Sequence, residues 1–165
     1  MTVVDLGSST DVPRSWPDSL HPQELALLDV PTPFLAGDTR LVAQRLVAFE
    51  AALPGVRPFY AVKCNSDRQV LGTIATHGAG FEVASLGELR LLEDIGVEPR
   101  DVLYSNTVKP ATHVRAAYEA GVWRFAIDSE GELDKIARCA PGSAVYVRVR
   151  VDDSGSVFPL SRKFG

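Results

Sequence analysis

The chain has 165 residues, of which 45% are hydrophobic and 23% are charged, and its formal net charge is −4. This composition is that of an ordinary globular domain with enough residues to bury a core. The chain has no basic block that would favour nucleic-acid binding, and no apolar run reaches the ~20 residues that a membrane span needs. The first 30 residues lack the basic and apolar regions of a signal peptide, so the sequence predicts a cytoplasmic protein.

Residues 1–30 are interpreted as an arm, because they contain the polar run GSSTD and several prolines. At most one short helix, near residues 22–29, is expected in this arm. From residue 31 onward, short apolar runs recur roughly every 20–25 residues, which is the spacing of strand–helix units. Six runs are candidate strands, and they lie at 32–36, 57–62, 80–84, 102–106, 124–128 and 144–151.

The stretches between these runs have the pattern of amphipathic helices. Residues 38–53 place their apolar side chains on one stripe, and Asp38 is positioned to cap the first turn. Ser85 and Ser129 each precede a glutamate by three residues, which is the capping-box pattern of a helix start. Helices thus follow five of the six candidate strands, and this alternation predicts parallel strands joined by right-handed crossovers.

Two α/β architectures satisfy this alternation, a doubly wound open sheet and a (β/α)8 barrel. Periodicity alone does not choose between them. A complete barrel takes about 250 residues, so six strands would form an incomplete ring. In both architectures functional groups gather at the carboxyl ends of the strands.

Lys63 is the most specific chemical feature of the sequence, because it ends the apolar run RPFYAVK. Burial at a strand end, beside other cations, lowers the pKa of a lysine and permits Schiff-base chemistry. The alternative is a lysine that extends its amine into water. Glu82 and Arg148 lie towards the carboxyl ends of two other candidate strands, and Arg148 shares one strand face with Arg150 by period-two geometry. A helix-start carboxylate and a solvated arginine are the alternative explanations for Glu82 and Arg148. No metal site is expected, because zinc motifs and the common nucleotide-binding motifs are missing.

Four segments carry a stronger signal in combination, and they are PFYAVKCN (58–65), GAGFEVASLGEL (78–89), DSEGEL (128–133) and DDSGSVFPLSRKFG (152–165). Together they resemble the pyridoxal-phosphate-dependent decarboxylases of the ornithine, diaminopimelate and arginine group. The similarity is closest to the eukaryotic-type ornithine decarboxylases. The segments occur in the order found in the family, and the resemblance extends over roughly residues 31–165.

The resemblance implies an α/β fold, an alanine-racemase-like (β/α)8 barrel followed by a β-sandwich domain. Residues 31–165 would then be the N-terminal part of the barrel, with about six strands and five helices. The implied cofactor is pyridoxal 5′-phosphate, joined to Lys63 as a Schiff base, with Glu82 and Arg148 near it. Ornithine decarboxylases usually carry aspartate where this chain has Glu82. Lys163 matches a lysine that reaches across the interface of a homodimer.

The same resemblance implies a carboxy-lyase that acts on a basic amino acid. Conversion of ornithine to putrescine and carbon dioxide, a step of polyamine biosynthesis, is favoured over reactions of lysine, arginine or diaminopimelate. The expected partners are this small molecule and a second copy of the chain, with neither nucleic acid nor membrane. The family's phosphate site and substrate pocket lie beyond Gly165, so the isolated chain is expected to be inactive and poorly soluble. Two alternatives stay open, a regulatory relative that binds partners without catalysis and a truncated product without a function of its own.

Overall fold

The computed structural model describes residues 27, 29–31, 33, 34 and 36–159. Most of the predicted arm lies outside these residues, as does Lys163. Of residues 22–29, where a short helix is expected, only 27 and 29 are described. The first candidate strand is described only at Pro33, Phe34 and Ala36, and none of these three residues takes part in a strand. The other five candidate strands are all described.

The described residues fall into two compact units, and the first consists mainly of two helices. This unit is formed by Met1–Pro58 and Asn65–Ala79. Helix α1 spans Thr39–Ala52 and helix α2 spans Arg68–Thr76, and the two helices pack against each other.

The second unit, Phe59–Cys64 with Gly80–Gly165, contains a five-stranded parallel sheet. The strands are β1 (Phe59–Ala61), β2 (Gly80–Val83), β3 (Val102–Tyr104), β4 (Arg124–Ile127) and β5 (Ala144–Val147). The α-helices described in this unit are α3 (Leu86–Asp94), α4 (Ala111–Ala120) and α5 (Glu130–Cys139). Short 3₁₀ turns occur at Val62–Cys64 and Pro99–Asp101.

The strand order in the sheet is β1-β2-β3-β4-β5, so each strand pairs with its predecessor and its successor in the sequence. All of these pairings are parallel. A doubly wound sheet would show a reversal of strand order at a switch point, whereas a barrel adds its strands in sequence. The strand order therefore favours the barrel, and the predicted α/β class is confirmed with five parallel strands of an incomplete ring.

Strand β5 is shorter than the sequence pattern predicts. It ends at Val147, although the alternating run continues to residue 151. The amide of Arg148 still donates to the Ile127 carbonyl at 2.8 Å. Beyond that point β4 has turned into α5, so the described chain offers no further partner to extend the ladder. Arg148 and Arg150, which were predicted to share a strand face, are thus exposed residues beyond the strand.

The two faces of the sheet have different environments. On one face α3 packs against β2 and α5 against β4, with α4 in contact with both neighbouring helices. The register pairs Ala61 with Glu82 and Glu82 with Leu103, so these three residues lie on the opposite face. The nearly or fully buried side chains of this unit include Phe81, Val83, Tyr104, Phe125, Ile127, Leu89, Leu92, Val114 and Ile136.

The predicted helix caps are confirmed. The carboxylate of Asp38 accepts the Arg40 amide at 2.9 Å at the start of α1. The hydroxyls of Ser85 and Ser129 accept the amide three residues later, at 3.2 Å and 3.4 Å respectively. Each cap satisfies an amide that the helix itself leaves without a partner.

Two further features concern the cysteines and the character of the helices. Cys64 is exposed, Cys139 is buried, and both are free thiols. Among the helices of the described residues, none has the length and apolar character required to cross a membrane.

Candidate active site

The polar side chains singled out in the sequence lie at the carboxyl ends of the strands. Lys63 follows β1 in the Val62–Cys64 turn, Glu82 lies in β2, and Arg148 follows β5. Because parallel strands share one orientation, these ends lie along the same edge of the sheet.

Lys63 and Glu82 are brought together by the pairing of β1 with β2. Ala61 is in register with Glu82, and the short 3₁₀ turn after β1 carries Lys63 back towards that carboxylate. The Lys63 Nζ lies 3.7 Å from Glu82 Oε1. The Lys63 side chain is 61% exposed and that of Glu82 is 32% exposed. Of the two environments considered for this amine, burial at the strand end and extension into water, the structure shows the more exposed one, with the Glu82 carboxylate beside it.

Ser105 completes this group from the neighbouring strand. It directly follows β3, and its amide donates to the Val83 carbonyl at 2.9 Å, which continues the β2–β3 ladder. Its hydroxyl donates to Glu82 Oε1 at 2.6 Å. The oxygen that faces Lys63 is thus fixed by a short hydrogen bond to a carboxylate, which is a strong type of hydrogen bond.

Arg148 lies three strands away from Glu82, and the charges of both residues affect the pKa of Tyr146 in β5. Burial raises the pKa of the Tyr146 hydroxyl to about 12, and the negative charge of Glu82 acts in the same direction. The positive charges of Arg148 and Arg124 act in the opposite direction. The carboxylate and the two guanidinium groups therefore have opposing effects on the pKa of Tyr146.

A second charged cluster lies beside this edge and was not identified from the sequence. Its centre is Lys109, whose side chain is completely buried. The Lys109 Nζ donates to the Asn106 carbonyl at 2.7 Å and to the Ala126 carbonyl at 2.6 Å. Glu132 Oε2 lies 3.5 Å from the same nitrogen. Burial lowers the pKa of the Lys109 ammonium, and the neighbouring Glu132 carboxylate partly counteracts this effect.

The residues of this cluster carry no distinctive signal in the sequence. Lys109 stands between Val108 and Pro110 in a connection between a strand and a helix, where a solvated lysine would be the ordinary interpretation. Glu132 matches a capping box, which explains its position without any lysine partner. The buried ammonium is stabilised by backbone carbonyls near the ends of two strands and by the Glu132 carboxylate, an arrangement that the sequence does not show.

The site is chemically suited to an aldehyde cofactor. It offers an exposed primary amine, a carboxylate and a hydroxyl within one small group. A primary amine condenses with an aldehyde, and a nearby carboxylate suits a cofactor that carries a cationic ring. Within the described residues, no group of three or more histidine, cysteine, aspartate or glutamate side chains is arranged to hold a metal.

The fold and the site together define an α/β barrel-type protein with an accessible lysine at the carboxyl ends of its strands. A family profile described as "Pyridoxal-dependent decarboxylase, pyridoxal binding domain" matches residues 39–165. The chain belongs to this family. The predicted family is therefore confirmed, and pyridoxal phosphate is the cofactor of the matched domain.

Individual relatives agree with this family but differ in their described roles. Antizyme inhibitor 2 of Xenopus laevis is 41% identical over 80% of this chain and 29% of its own length. Ornithine decarboxylase of Schizosaccharomyces pombe is 41% identical over 80% of this chain and 31% of its own length. The crystal structure of lysine decarboxylase from Selenomonas ruminantium superposes with a TM-score of 0.81 at 36% identity, covering 88% of this chain and 39% of that one. The chain thus spans about a third of the length of these relatives.

Proposed function

We propose that this chain is the cofactor-binding part of a decarboxylase that acts on a basic amino acid, with ornithine as the substrate. The observation that carries this proposal is the exposed Lys63 amine, 3.7 Å from the Glu82 carboxylate at the carboxyl edge of a parallel sheet. This position is where barrels of this type place their catalytic groups.

The other lysines are poorer candidates for holding the cofactor. The chain has four lysines, and Lys163 lies outside the described residues. Lys109 is inaccessible, because its side chain has no exposed surface and its ammonium is bound to two carbonyls. Lys135 is 24% exposed, and its ammonium is bound to Glu132 and to the Lys109 carbonyl. Lys63 is therefore the described lysine with an amine that a cofactor can reach.

The roles of the remaining residues follow from their positions. Lys63 would hold the cofactor at Nζ, and Glu82 would place a negative charge next to it. Ser105 keeps the Glu82 carboxylate in one orientation through its hydroxyl. Arg148 would contribute positive charge at the same edge, near the anionic parts of cofactor and substrate. Bound pyridoxal phosphate supplies the electron sink that accepts the electron pair left behind by the departing carboxylate.

Attachment of the cofactor can be located directly. The purified protein is incubated with pyridoxal phosphate and then treated with borohydride, which fixes the pyridoxal group permanently to the lysine that holds it. Mass spectrometry of the resulting peptides is expected to find the label at Lys63. A Lys63→Ala variant cannot carry the label at this position. Its total labelling is expected to fall by at least about tenfold, since the amines of the other described lysines are bound to protein acceptors.

A matched control separates specific attachment from general lysine reactivity. Arg90→Lys adds a second exposed amine on α3 and is expected to leave labelling at Lys63 unchanged. If labelling in the unmodified protein spread evenly over its four lysines, or favoured Lys135, the assignment of Lys63 would be wrong.

The substrate is tested with carboxyl-labelled amino acids. Release of labelled carbon dioxide is measured with ornithine, lysine, arginine and diaminopimelate under identical conditions. Our proposal expects the highest kcat/KM with ornithine for a protein that carries the complete barrel. For the isolated 165-residue chain the expectation remains inactivity, and a homodimer that involves Lys163 is proposed for the longer form.

A second candidate function is supported by one particular relative. Antizyme inhibitor 2 is as similar to this chain as the ornithine decarboxylase described above, and it is named for inhibiting another protein. A regulatory role would be favoured if a protein with the complete barrel released no carbon dioxide from any of the four amino acids. Labelling at Lys63 in such a protein would show that cofactor binding had been retained without turnover.

A further inference from the structure

The buried ammonium of Lys109 is costly to place inside a protein, so its surroundings indicate what it does. Removing a charge from water carries a large penalty unless acceptors and an opposite charge replace the lost hydration. Here the Asn106 and Ala126 carbonyls accept at 2.7 Å and 2.6 Å, and Glu132 lies at 3.5 Å. The Thr107 carbonyl also accepts from this ammonium, at 3.4 Å, which is longer than the other two hydrogen bonds. Lys109 therefore has a complete set of partners.

The carbonyl partners of Lys109 belong to two different elements, a loop and a strand. Asn106 and Thr107 lie in the loop that joins β3 to α4, here called the β3–α4 loop (residues 105–110), whereas Ala126 lies within β4. One ammonium group thus ties this loop to the neighbouring strand. The ladder between β3 and β4 has one register pair, Tyr104–Phe125, and the ammonium adds a further connection next to it.

The β3–α4 loop begins at the residue that orients Glu82. The Ser105 hydroxyl donates to Glu82 Oε1 at 2.6 Å, and the next residue, Asn106, provides a carbonyl to Lys109. The Asn106 side chain in turn donates to the Val108 carbonyl at 2.7 Å, which adds a hydrogen bond within the loop. Two hydrogen bonds and the peptide bond between Ser105 and Asn106 therefore connect Lys109 to the carboxylate that faces Lys63.

Helix α5 supports the cluster from the other side. The amide of Glu132 is capped by Ser129, so its carboxylate is available to both Lys109 and Lys135. Lys135 also donates to the Lys109 backbone carbonyl at 2.7 Å. The N-terminal half of α5 thereby holds the main chain and the side chain of Lys109 at the same time.

We propose that Lys109 is a positioning residue, which holds the β3–α4 loop against β4 and so keeps Ser105 hydrogen-bonded to the Glu82 carboxylate that faces Lys63. It does not touch the cofactor and acts only through Ser105 and Glu82. This inference rests on the proposed function of Lys63 and Glu82 for its chemical meaning. Stability alone explains the cluster poorly, since apolar side chains of similar volume often replace a buried ion pair without loss of stability.

The first test measures the loop without any cofactor. Lys109→Met keeps most of the side-chain volume and removes the ammonium. Hydrogen–deuterium exchange of peptides that cover the β3–α4 loop is expected to become about tenfold faster, since the loss of a hydrogen bond of a charged group opens the loop more often. Peptides from α3 are expected to exchange at the unmodified rate.

A control variant separates this local effect from general destabilisation. Val114→Ala removes buried apolar volume from α4, where Val114 has no exposed surface. It is expected to lower the melting temperature without a selective increase of exchange in the β3–α4 loop. Equal exchange of this loop in Lys109→Met and the unmodified protein would overturn the proposal.

The second test asks whether Lys109 acts through Ser105. The rate of pyridoxal phosphate attachment at Lys63 is measured by borohydride trapping in Lys109→Met, in Ser105→Ala and in the double variant. Each single variant is expected to slow attachment by about tenfold, and the double variant by no more than either single variant, because both changes break one connected path. Multiplying effects in the double variant would show that Lys109 acts independently of Ser105 and would contradict the proposal.

The two tests distinguish a failure of the proposed function from a failure of the proposed role of Lys109. If the unmodified protein attached no pyridoxal phosphate at Lys63, the proposed function would be wrong. The exchange experiment would still decide whether Lys109 holds the β3–α4 loop, because it requires no cofactor.

Discussion

Glu82 Oε1 accepts the Ser105 hydroxyl and also faces the Lys63 ammonium, so one carboxylate oxygen joins side chains from three consecutive strand ends. The sequence identified Lys63 and Glu82 as separate candidates, and the register of β1 with β2 brings them together. In the sequence, Ser105 is a polar residue near the end of the candidate strand 102–106. Its contact depends on the direction of its side chain, which the sequence pattern does not specify.

Asp38 provides a test of electrostatics at the level of a single residue. Burial raises the pKa of its carboxyl group, but the hydrogen bonds and positive charge of Arg40 outweigh this effect and lower the pKa below 3.8. The ion pair joins Arg40 Nη2 to Asp38 Oδ2 at 2.8 Å. Because the pKa is lowered on folding, the resulting stability is present above the unfolded value and is lost as the pH falls through the folded pKa.

Asp38→Asn is expected to keep the helix cap and remove the charge. It should lower the free energy of unfolding by about 1 kcal/mol at neutral pH, and this difference should shrink as the pH falls through the lowered pKa of Asp38. Denaturant titrations at several pH values measure it. Asp67→Asn is the matched control, since Asp67 caps α2 through the Gln69 amide without an arginine fork, and it should cost little at neutral pH. A constant Asp38→Asn difference down to pH 2 would contradict the proposed ion-pair contribution.

At the level of elements, α3 and α5 begin with the same sequence pattern but use it differently. Ser85 and Ser129 both cap an amide as the pattern predicts. The glutamate of the first pattern, Glu88, accepts the Ala84 amide at 2.6 Å, so this hydrogen bond joins residues close in the sequence. Glu132 instead turns to Lys109 and Lys135. Local sequence was sufficient to predict both helix starts, whereas the second use of Glu132 required a buried lysine from another element.

Two glycines give a paired prediction for helix stability. Gly131 lies in the first turn of α5, and an added Cβ would meet nothing within 4 Å. Gly131→Ala is therefore expected to raise the free energy of unfolding by about 0.5 kcal/mol, because alanine loses less backbone entropy on folding. Gly121 ends α4 with φ of 110°, a conformation that alanine resists.

Gly121→Ala is accordingly expected to lower the free energy of unfolding by about 1–2 kcal/mol. The two variants add the same methyl group, so the opposite signs would isolate the effect of backbone conformation. Urea denaturation measures both. If Gly121→Ala were neutral, the left-handed helix end would not constrain this position.

At the level of the whole molecule, the outer strand β5 is the most exposed part of the sheet. It pairs with β4 on one side, and the described residues provide no strand on the other. Val147 is 61% exposed, and the following Val149 and Val151 are 70% and 64% exposed. An unpaired edge with exposed apolar side chains favours association with another chain.

Val147→Lys is expected to weaken self-association of the 165-residue chain by about tenfold, because a charged residue on an edge strand opposes pairing. Sedimentation velocity over a range of concentrations measures this change. Val47→Lys adds the same charge at an exposed position of α1 and serves as the control. If both variants weakened association equally, net charge and not the sheet edge would be responsible.

The sequence by itself determined the strand–helix alternation, the helix caps and the prominence of Lys63, because these depend on local patterns of period, capping and motif. It also led to the correct family through four short segments. Periodicity could not distinguish a barrel from an open sheet, since both contain the same local units, and the strand order favours the barrel. The exposure of Lys63, the Ser105–Glu82 contact and the burial of Lys109 were decided by the tertiary structure. Each depends on groups that are distant in sequence, and strand register and packing bring those groups to one edge of the sheet.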